Sequence, residues 1–203
     1  MNRRAMKKPA ALLSMLALAA VLALSACNQA PSEPPPLAGA QIGGPFTLSD
    51  KDGRTVRWSD FAGKWRIVYF GYTFCPDACP MDVGVMMRGF DRFAKDHAEL
   101  AKDVQPIFIT IDPARDTQAR VGEFAAAFGP RLLGLTGTQQ QVEQAAKAFV
   151  AYSARGKDTP GGGYLMDHSR VVYLMDRNGK PVAMLPVDKG RDAVAAELVR
   201  WVK

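Results

Sequence analysis

The sixteen residues WRIVYFGYTFCPDACP, at positions 65–80, decide the fold that the sequence predicts. Residues 65–70 form an apolar run of strand length, which is typical of a central strand buried on both faces. Cys75 and Cys79 follow this strand, and Pro80 suits the first position of a helix. Apolar side chains then recur at helical spacing, at Val83, Met86, Met87, Phe90 and Phe93. A dithiol is therefore expected where a buried strand ends and a helix begins.

The rest of the chain alternates between strand patterns and helix patterns. One hairpin is predicted around Asp52-Gly53 and another around Asn178-Gly179. Further patterns predict strands at 104–111, 132–135 and 150–154, helices at 117–128, 138–149 and 188–202, and a glycine-rich loop at 156–164. This order predicts an α/β, thioredoxin-like fold with an N-terminal β-hairpin extension and a central insertion.

The N-terminal residues have the pattern of an export signal. A basic start at 2–8 precedes an apolar run at 10–24, which is short for a membrane span but suits a signal-peptide core. The run ends in LSAC at 24–27, which resembles the bacterial lipobox. Residues 1–26 are therefore interpreted as a lipoprotein signal peptide and Cys27 as its lipidation site. The alternative is an uncleaved anchor with an incidental cysteine, and neither interpretation distinguishes the inner from the outer membrane.

The chain beyond the leader divides into a tether and a domain. Residues 27–40 are rich in proline, alanine and serine and are interpreted as a lipid-anchored flexible tether, with the folded domain at 41–203. The domain is expected to face the periplasm or extracytoplasmic space. Beyond residue 26, 22 Lys and Arg oppose 20 Asp and Glu, without a dense basic run that contains aromatic residues. Nucleic-acid binding is therefore not expected.

Cys75 and Cys79 are four positions apart, about one helical turn, so their Cβ atoms are expected about 6 Å or less from each other. A helix N-terminus favours the thiolate, which is the form that binds a metal or attacks a disulfide. Dithiol oxidoreductases of this fold usually carry two residues between the cysteines, and the three residues here favour metal binding. A structural disulfide is disfavoured, because so short a loop contributes little stability.

The chain contains two histidines. His97 lies late in an amphipathic helix among charged residues and is interpreted as a surface residue. His168 lies between the glycine-rich loop and a predicted buried strand, where it fits a metal ligand and a capped loop residue equally well. Two thiolates and one imidazole suit Cu(I) and can also hold Cu(II), so one copper ion per chain is expected. Structural zinc would usually take a fourth protein ligand.

Other polar and sulfur-containing residues near the dithiol are less specific. Asp77 fits an oxygen ligand or a helix-start acid that the helix dipole favours. Met81 and Met166 are expected near the site as hydrophobic shielding rather than as ligands. Asp112 and Arg115, which follow the strand at 104–111, are interpreted as an ion pair that fixes a loop, with a partner-recognition surface as the alternative.

Three blocks of sequence, in this order, resemble the Sco/SenC family. They are YFGYTFCPDACP at 69–80, TIDPARDT at 110–117, and DHS at 167–169 followed by VYLMD at 172–176. The resemblance extends over about residues 40–203. Proteins of this family are copper-binding, membrane-tethered, thioredoxin-like assembly factors of cytochrome c oxidase.

The resemblance implies a ligand set and a function. Cys75, Cys79 and His168 match the three copper ligands of the family, while Asp77 and Asp167 are candidates for the surroundings of the site. The implied function is that of a metallochaperone that helps assemble the binuclear copper A site of oxidase subunit II. The expected partners are that subunit, an upstream periplasmic copper donor or thiol reductant, and the membrane through the lipid anchor.

Two other activities are compatible with these residues. Cys75 and Cys79 can act as the redox dithiol of a thiol–disulfide oxidoreductase that reduces the cysteines of the copper acceptor. This role can coexist with copper delivery, which requires reduced cysteines in the acceptor. Peroxidase chemistry, with Arg115 as the polarising residue, is less favoured. A carrier is therefore expected rather than a turnover enzyme, with thiol–disulfide reductase activity as the alternative.

Overall fold

The apolar run at 65–70 is the central strand of a five-stranded sheet. In the computed structural model, which describes residues 33–203, strand β3 (Trp65–Gly71) has all seven residues buried. It pairs in parallel with β4 (Val104–Thr110) and antiparallel with β8 (Val172–Met175). The outer strands are β5 (Leu133–Leu135), beside β4, and β9 (Pro181–Met184), beside β8. The order β5-β4-β3-β8-β9 places the dithiol segment after the middle strand.

Helices follow the strands as the sequence patterns predict. They are α1 (Ala78–Asp96), α2 (Ala98–Lys102), α3 (Gln118–Ala126), α4 (Gln139–Ala148) and α5 (Arg191–Trp201). The apolar side chains predicted to line one face of α1 are all buried in the core. Helix α1 also packs against α5. The apolar face of α1 that the sequence predicted therefore packs on the hydrophobic core, and this packing fixes the helix that carries Cys79.

Two hairpins lie outside the central sheet. The N-terminal hairpin consists of β1 (Thr47–Ser49) and β2 (Thr55–Arg57). The second consists of β6 (Ser153–Thr159) and β7 (Gly163–His168), which pair only with each other within the described residues. Both the N-terminal extension and the insertion between β4 and β8 agree with the predicted fold.

The hairpin β6–β7 corrects two predictions. Residues 156–164 were expected to be a loop and 150–154 a strand, but β6 spans Ser153–Thr159. Its sequence SARGKDT is largely polar and none of its residues is buried. The alternation between apolar and polar residues that marks a half-buried strand is therefore missing.

The start of α1 corrects a third prediction. Pro80 was expected at the first helical position, but the helix begins at Ala78 and Pro80 is its third residue. The first four N–H groups of a helix have no partner within the helix, so a proline in this turn removes no helical hydrogen bond. The earlier start places Cys79 within the first turn.

The first residues of the compact domain hydrogen-bond to strand β9. A compact unit begins at Pro35, and the backbone N–H of Leu37 donates to the carbonyl of Val182 at 3.0 Å. The predicted signal peptide, Cys27 and the first part of the predicted tether lie outside the described residues. Among the described residues, no helix has the length and apolar character needed to cross a bilayer.

Candidate metal centre

The two cysteines occupy different environments at the start of α1. Cys79 is fully buried within the hydrophobic core, whereas Cys75 precedes the helix and is half-buried. The backbone N–H of Cys79 donates to the Sγ of Cys75 at 3.3 Å. Cys75 is therefore the more accessible of the two sulfurs, and the first turn of the helix directs an N–H group at it.

His168, the last residue of β7, completes a group of three donor atoms. Its Nε2 lies 3.2 Å from the Sγ of Cys79, and its Nδ1 lies 2.9 Å from the carbonyl oxygen of Ser169. A carbonyl can only accept, so Nδ1 donates to it, and Nε2 is the ring nitrogen that faces the sulfurs. One ligand atom each from Cys75, Cys79 and His168 lie within 4.8 Å of one another. These three residues can therefore bind one metal ion.

The pKa values of the two cysteines are shifted in opposite directions. Hydrogen bonding from Cys79, supported by His168 and by backbone N–H groups, lowers the pKa of Cys75 to about 3. The same interaction with Cys75, together with burial, raises the pKa of Cys79 above its ordinary value. The metal-free site therefore contains an accessible thiolate at Cys75 and a buried thiol at Cys79.

Two tyrosine rings surround the imidazole. The rings of Tyr69 and Tyr72 stand edge-on to His168, with centroid distances of 6.3 and 5.8 Å. Burial, and the neighbouring Cys79 and Asp82, raise the pKa of Tyr69, so its hydroxyl remains a hydrogen-bond donor. The aromatic edges limit the positions that the imidazole can take.

An ion pair between a buried carboxylate and a half-exposed arginine, beside the site, was missed by sequence reasoning. Asp82 accepts hydrogen bonds from Nε and Nη2 of Arg170, at 2.8 and 2.6 Å. It also accepts one from the Tyr69 hydroxyl at 3.1 Å. A signal for Asp82 was present, because a carboxylate three positions after Cys79 falls on the buried face of the helix. The sequence contains no comparable signal for Arg170, which lies 88 positions further along the chain.

A second polar cluster attaches the hairpin β6–β7 to the loop after β4. The guanidinium of Arg115 donates to Asp112 at 2.6 Å and to the carbonyl of Tyr164 at 2.8 Å. It also stacks 3.5 Å above the centroid of the Tyr164 ring, whose hydroxyl donates to Asp112 at 2.8 Å. The predicted ion pair between Asp112 and Arg115 is present, and its contacts extend to the strand that carries His168.

Other residues predicted near the site lie around it. The carboxylates of Asp77 and Asp167 are exposed and are not members of the group of three donors. Successive side chains of a strand point to opposite faces, so Asp167 is directed away from the face of β7 that carries His168. Met81 is 59% exposed, while Met166 packs against the core. His97, which was interpreted as a surface residue, is half-buried at the end of α1, where its ring stacks on Phe93 with the centroids 5.2 Å apart.

The donor set is suited to a soft metal ion. Thiolate sulfur selects Cu(I) and zinc, and imidazole is compatible with both metals and with Cu(II). A structural zinc site would usually contain a fourth protein ligand, and the group of described residues offers three. The geometry therefore fits a copper ion that is held by three protein ligands and is reachable from the side of Cys75.

Comparisons with known proteins agree with this geometry. The SCO1/SenC family profile matches residues 34–203. Protein SenC of Rhodobacter capsulatus is 45% identical over 140 residues, which are 68% of this chain and 61% of that protein. The human mitochondrial protein SCO1 homolog is 34% identical over 162 residues, or 80% of this chain and 53% of that protein. The chain thus spans between half and two thirds of the length of these relatives.

A solved structure extends the similarity to three dimensions. The crystal structure of Arabidopsis thaliana ScoI with copper bound has a TM-score of 0.73 and 35% sequence identity. The match covers 78% of this chain and 96% of the solved chain. The predicted thioredoxin-like fold is confirmed by this similarity. Because the family profile covers most of the sequence and the fold agrees as well, the chain belongs to the SCO1/SenC family.

Proposed function

We propose that this chain binds one copper ion through Cys75, Cys79 and His168 and delivers it during assembly of cytochrome c oxidase. The observation that carries the proposal is the convergence of two sulfurs and one imidazole nitrogen within 4.8 Å. The copper bound to a structural neighbour of the same fold supports the choice of metal. The proposed acceptor is the binuclear copper A site of oxidase subunit II, and an upstream periplasmic donor supplies the ion.

The surroundings of the site suit transfer of the ion to another protein. Cys75 is accessible, so an incoming thiolate of the acceptor can approach the ion from that side. Phe74 and Met81, which flank the dithiol in sequence, are 41% and 59% exposed. Exposed apolar side chains next to a functional site are typical of a surface that a partner covers. The roles of Asp77 and Asp167 around the ion stay predictions.

Copper loading tests the proposal directly. The full-length chain is reduced, reconstituted with copper and freed of excess metal, and bound copper per chain is measured. About one copper per chain is expected, and substitution of any of the three ligands by alanine should abolish or strongly weaken its retention. A wild-type chain that retains no copper would contradict the carrier function.

We also propose that the domain is held at the extracytoplasmic side of a bacterial membrane by lipid on Cys27. The proposal rests on the lipobox-like LSAC at 24–27 and the proline-rich segment at 27–40. Two acyl chains give stable anchoring, whereas a single chain gives marginal binding. The wild-type chain should therefore partition into detergent and incorporate labelled fatty acid, while Cys27→Ala should do neither. Retention of label by Cys27→Ala would contradict this assignment.

The difference between the two cysteines favours a second candidate function, reduction of a disulfide in the copper acceptor. The Cys75 thiolate would attack one acceptor sulfur, forming a mixed disulfide and releasing the other acceptor sulfur as a thiolate. Cys79, after losing its proton, would then attack the Sγ of Cys75, which releases the second acceptor thiolate and leaves a Cys75–Cys79 disulfide. Two electrons pass to the acceptor, and a thiol reductant must restore the dithiol.

The two functions differ in their need for His168. Reduction requires both cysteines but no imidazole ligand, so His168→Ala should retain reduction of an acceptor disulfide while it loses copper. A matched measurement of both activities on the same preparation separates the two functions. Loss of both activities in His168→Ala, with the fold intact, would contradict an independent reductase role.

A further inference from the structure

Asp82 is a buried carboxylate that is not one of the three candidate metal ligands. It accepts hydrogen bonds from two residues that lie next to those ligands. Its side chain is 4% exposed, and it lies on α1 three positions after Cys79. Of its two partners, Tyr69 lies on β3 and Arg170 lies in the connection between β7 and β8. A buried carboxylate needs such partners, since an unpaired buried charge is strongly destabilising.

The first partner connects Asp82 to His168. Arg170 lies two residues after His168, between the end of β7 and the start of β8. Its guanidinium binds both carboxylate oxygens of Asp82 in a forked arrangement, with distances of 2.8 and 2.6 Å. Such bidentate pairs fix orientation as well as distance. The ion pair therefore ties the segment that carries His168 to the helix that carries Cys79.

The second partner connects Asp82 to the space around the sulfur. The hydroxyl of Tyr69 donates to Asp82 at 3.1 Å and also interacts with Cys79. The ring of the same tyrosine stands edge-on to His168, at an interplanar angle of 87°. Asp82 thus holds in place an aromatic ring that touches one ligand and borders another.

The hairpin topology explains why such a tie is needed. His168 ends β7, which pairs with β6 in a two-stranded sheet separate from the central five strands. Cys79, in contrast, is fixed by a helix packed on the core. The distance between the imidazole and the sulfur consequently depends on contacts that connect the hairpin end to α1.

We propose that Asp82 is a positioning residue that, through Arg170 and Tyr69, fixes the imidazole of His168 relative to the sulfur of Cys79 in the metal site. This inference rests on the proposed copper function. Residues hydrogen-bonded behind metal ligands typically contribute 10–100-fold to metal affinity. Asp82 and Arg170 are therefore expected to control how long the ion is retained.

The test compares Asp82→Asn, Arg170→Met, Arg170→Lys and the double variant Asp82→Asn/Arg170→Met in the full-length chain, purified in detergent and loaded with copper. The matched control is Arg177→Met. It removes an ion pair of 2.9 Å with Asp103, which links residues 74 positions apart and involves neither α1 nor β7. The readouts are the thiolate-to-Cu(II) absorption band and the rate at which a competing chelator removes Cu(I).

We expect Asp82→Asn and Arg170→Met to lose Cu(I) roughly tenfold faster or more, and to shift the absorption band. Arg170→Lys retains the charge but not the fork, so it should give an intermediate rate. The double variant should resemble the single variants, because the pair acts as a unit. Arg177→Met should keep the wild-type spectrum and rate even if its stability falls. Wild-type rates and spectra in both Asp82→Asn and Arg170→Met would overturn the inference.

A metal-free measurement separates this inference from the copper function. In the reduced protein without metal, nuclear Overhauser contacts between the His168 and Tyr69 rings report the position of the imidazole. Their loss in Arg170→Met supports the inference even if the wild-type chain retains no copper, and their persistence there overturns it. If Asp82→Asn does not fold, Arg170→Met decides alone, since the Arg170 side chain is 54% exposed and its replacement is compatible with folding.

Discussion

The Nε2 of His168 lies 3.2 Å from the Sγ of Cys79, although 89 positions separate the two residues. The contact forms because the segment after β3 and the end of β7 meet beside the middle of the sheet. Cys79 belongs to a helix of the core and His168 to a peripheral hairpin. The metal site therefore lies between a helix of the core and a peripheral hairpin. His168 can consequently be replaced without changing the helix that carries Cys79.

Replacement of the ligand histidine should separate metal binding from folding. His168→Ala removes one of three donors and should greatly weaken copper retention, while the thermal unfolding of the metal-free protein changes little. His97→Ala is the matched control, because His97 stacks on Phe93 and is not part of the ligand group. Bound copper per chain is measured for both variants. If His168→Ala retained as much copper per chain as His97→Ala does, His168 would not be a ligand.

The lowered pKa of Cys75, about 3, predicts an unusual pH dependence of its reactivity. The thiolate predominates above that pKa, so alkylation by iodoacetamide in the metal-free protein should be nearly constant between about pH 5 and 8. An ordinary thiol, with a pKa of about 8.5, would react about tenfold faster per pH unit over the same range. Mass spectrometry should find the label on Cys75 and not on the buried Cys79.

Cys79→Ala provides the control for this pH dependence. It removes the hydrogen bond that contributes most to the lowered pKa of Cys75. The pKa of Cys75 should then be higher than in the wild-type protein, so its alkylation rate should rise more with pH, although His168 and the backbone N–H groups still favour the thiolate. A rate that rises steeply with pH in the wild-type protein itself would contradict the proposed thiolate.

The central strand and α1 could be predicted because their burial leaves a clear pattern in the sequence. Trp65–Gly71 is buried along its whole length, and the apolar residues of α1 repeat at helical spacing. The ligand set could be proposed because cysteine and histidine are few in this chain and each has distinctive chemistry. For His168, however, the residues alone left two interpretations, and its position relative to Cys79 required the structure.

The hairpin β6–β7 and the Asp82–Arg170 pair could not be predicted for two physical reasons. Strand β6 has no buried residue, so no hydrophobic periodicity reveals it. The contact between Asp82 and Arg170 depends on tertiary packing across 88 positions, which local patterns do not encode. Both features concern polar residues at the periphery of the core, where sequence periodicity carries the least information.

Asp116 should make the stability of the domain depend on pH. Its carboxylate is fully buried and accepts hydrogen bonds from the N–H and hydroxyl of Thr73 and from the hydroxyl of Thr110. Burial, partly offset by these donors, raises its pKa above the ordinary value of 3.8. The folded state therefore holds the proton more tightly than the unfolded state, and this contribution to stability decreases as the pH rises from 3.8 through the raised pKa.

Two replacements of Asp116 separate charge from hydrogen bonding. Asp116→Asn removes the ionisable group, so the decrease in stability over that pH window should disappear while most hydrogen bonds remain. Asp116→Ala should cost about 1–3 kcal/mol, because it leaves buried donors without an acceptor. Urea unfolding at several pH values measures both effects. An unchanged pH profile in Asp116→Asn would show that another group is responsible.

Arg115 should hold the hairpin β6–β7 more strongly than Arg155 does, although both guanidinium groups stack on Tyr164. Arg115 is 19% exposed and pairs with the buried Asp112, whereas Arg155 is 62% exposed and pairs with the exposed Asp158. Arg115→Met should therefore destabilise the protein by about 1.5–3 kcal/mol and speed amide exchange in β7. Arg155→Met should change stability by less than about 1 kcal/mol. Urea unfolding and hydrogen exchange measure these differences, and equal effects of the two variants would contradict the ranking.

Because Gly71 has no side chain, the sulfur of Cys79 can pack directly against its backbone. Replacement of Gly71 should therefore affect the metal site specifically. A Cβ at residue 71 would lie 3.0 Å from the Sγ of Cys79 and 2.8 Å from the Tyr69 ring. Both neighbours are buried in the core and have little room to move. Gly71→Ala should therefore displace the sulfur, shift the thiolate-to-Cu(II) absorption and speed the loss of copper, in addition to reducing stability by about 1–3 kcal/mol. Gly84→Ala is the control. The atom nearest to a Cβ at residue 84 is the flexible end of the Arg88 side chain, at 3.0 Å, which can move away. If Gly71→Ala retained copper as the wild type does, close packing around Cys79 would not be required for metal binding.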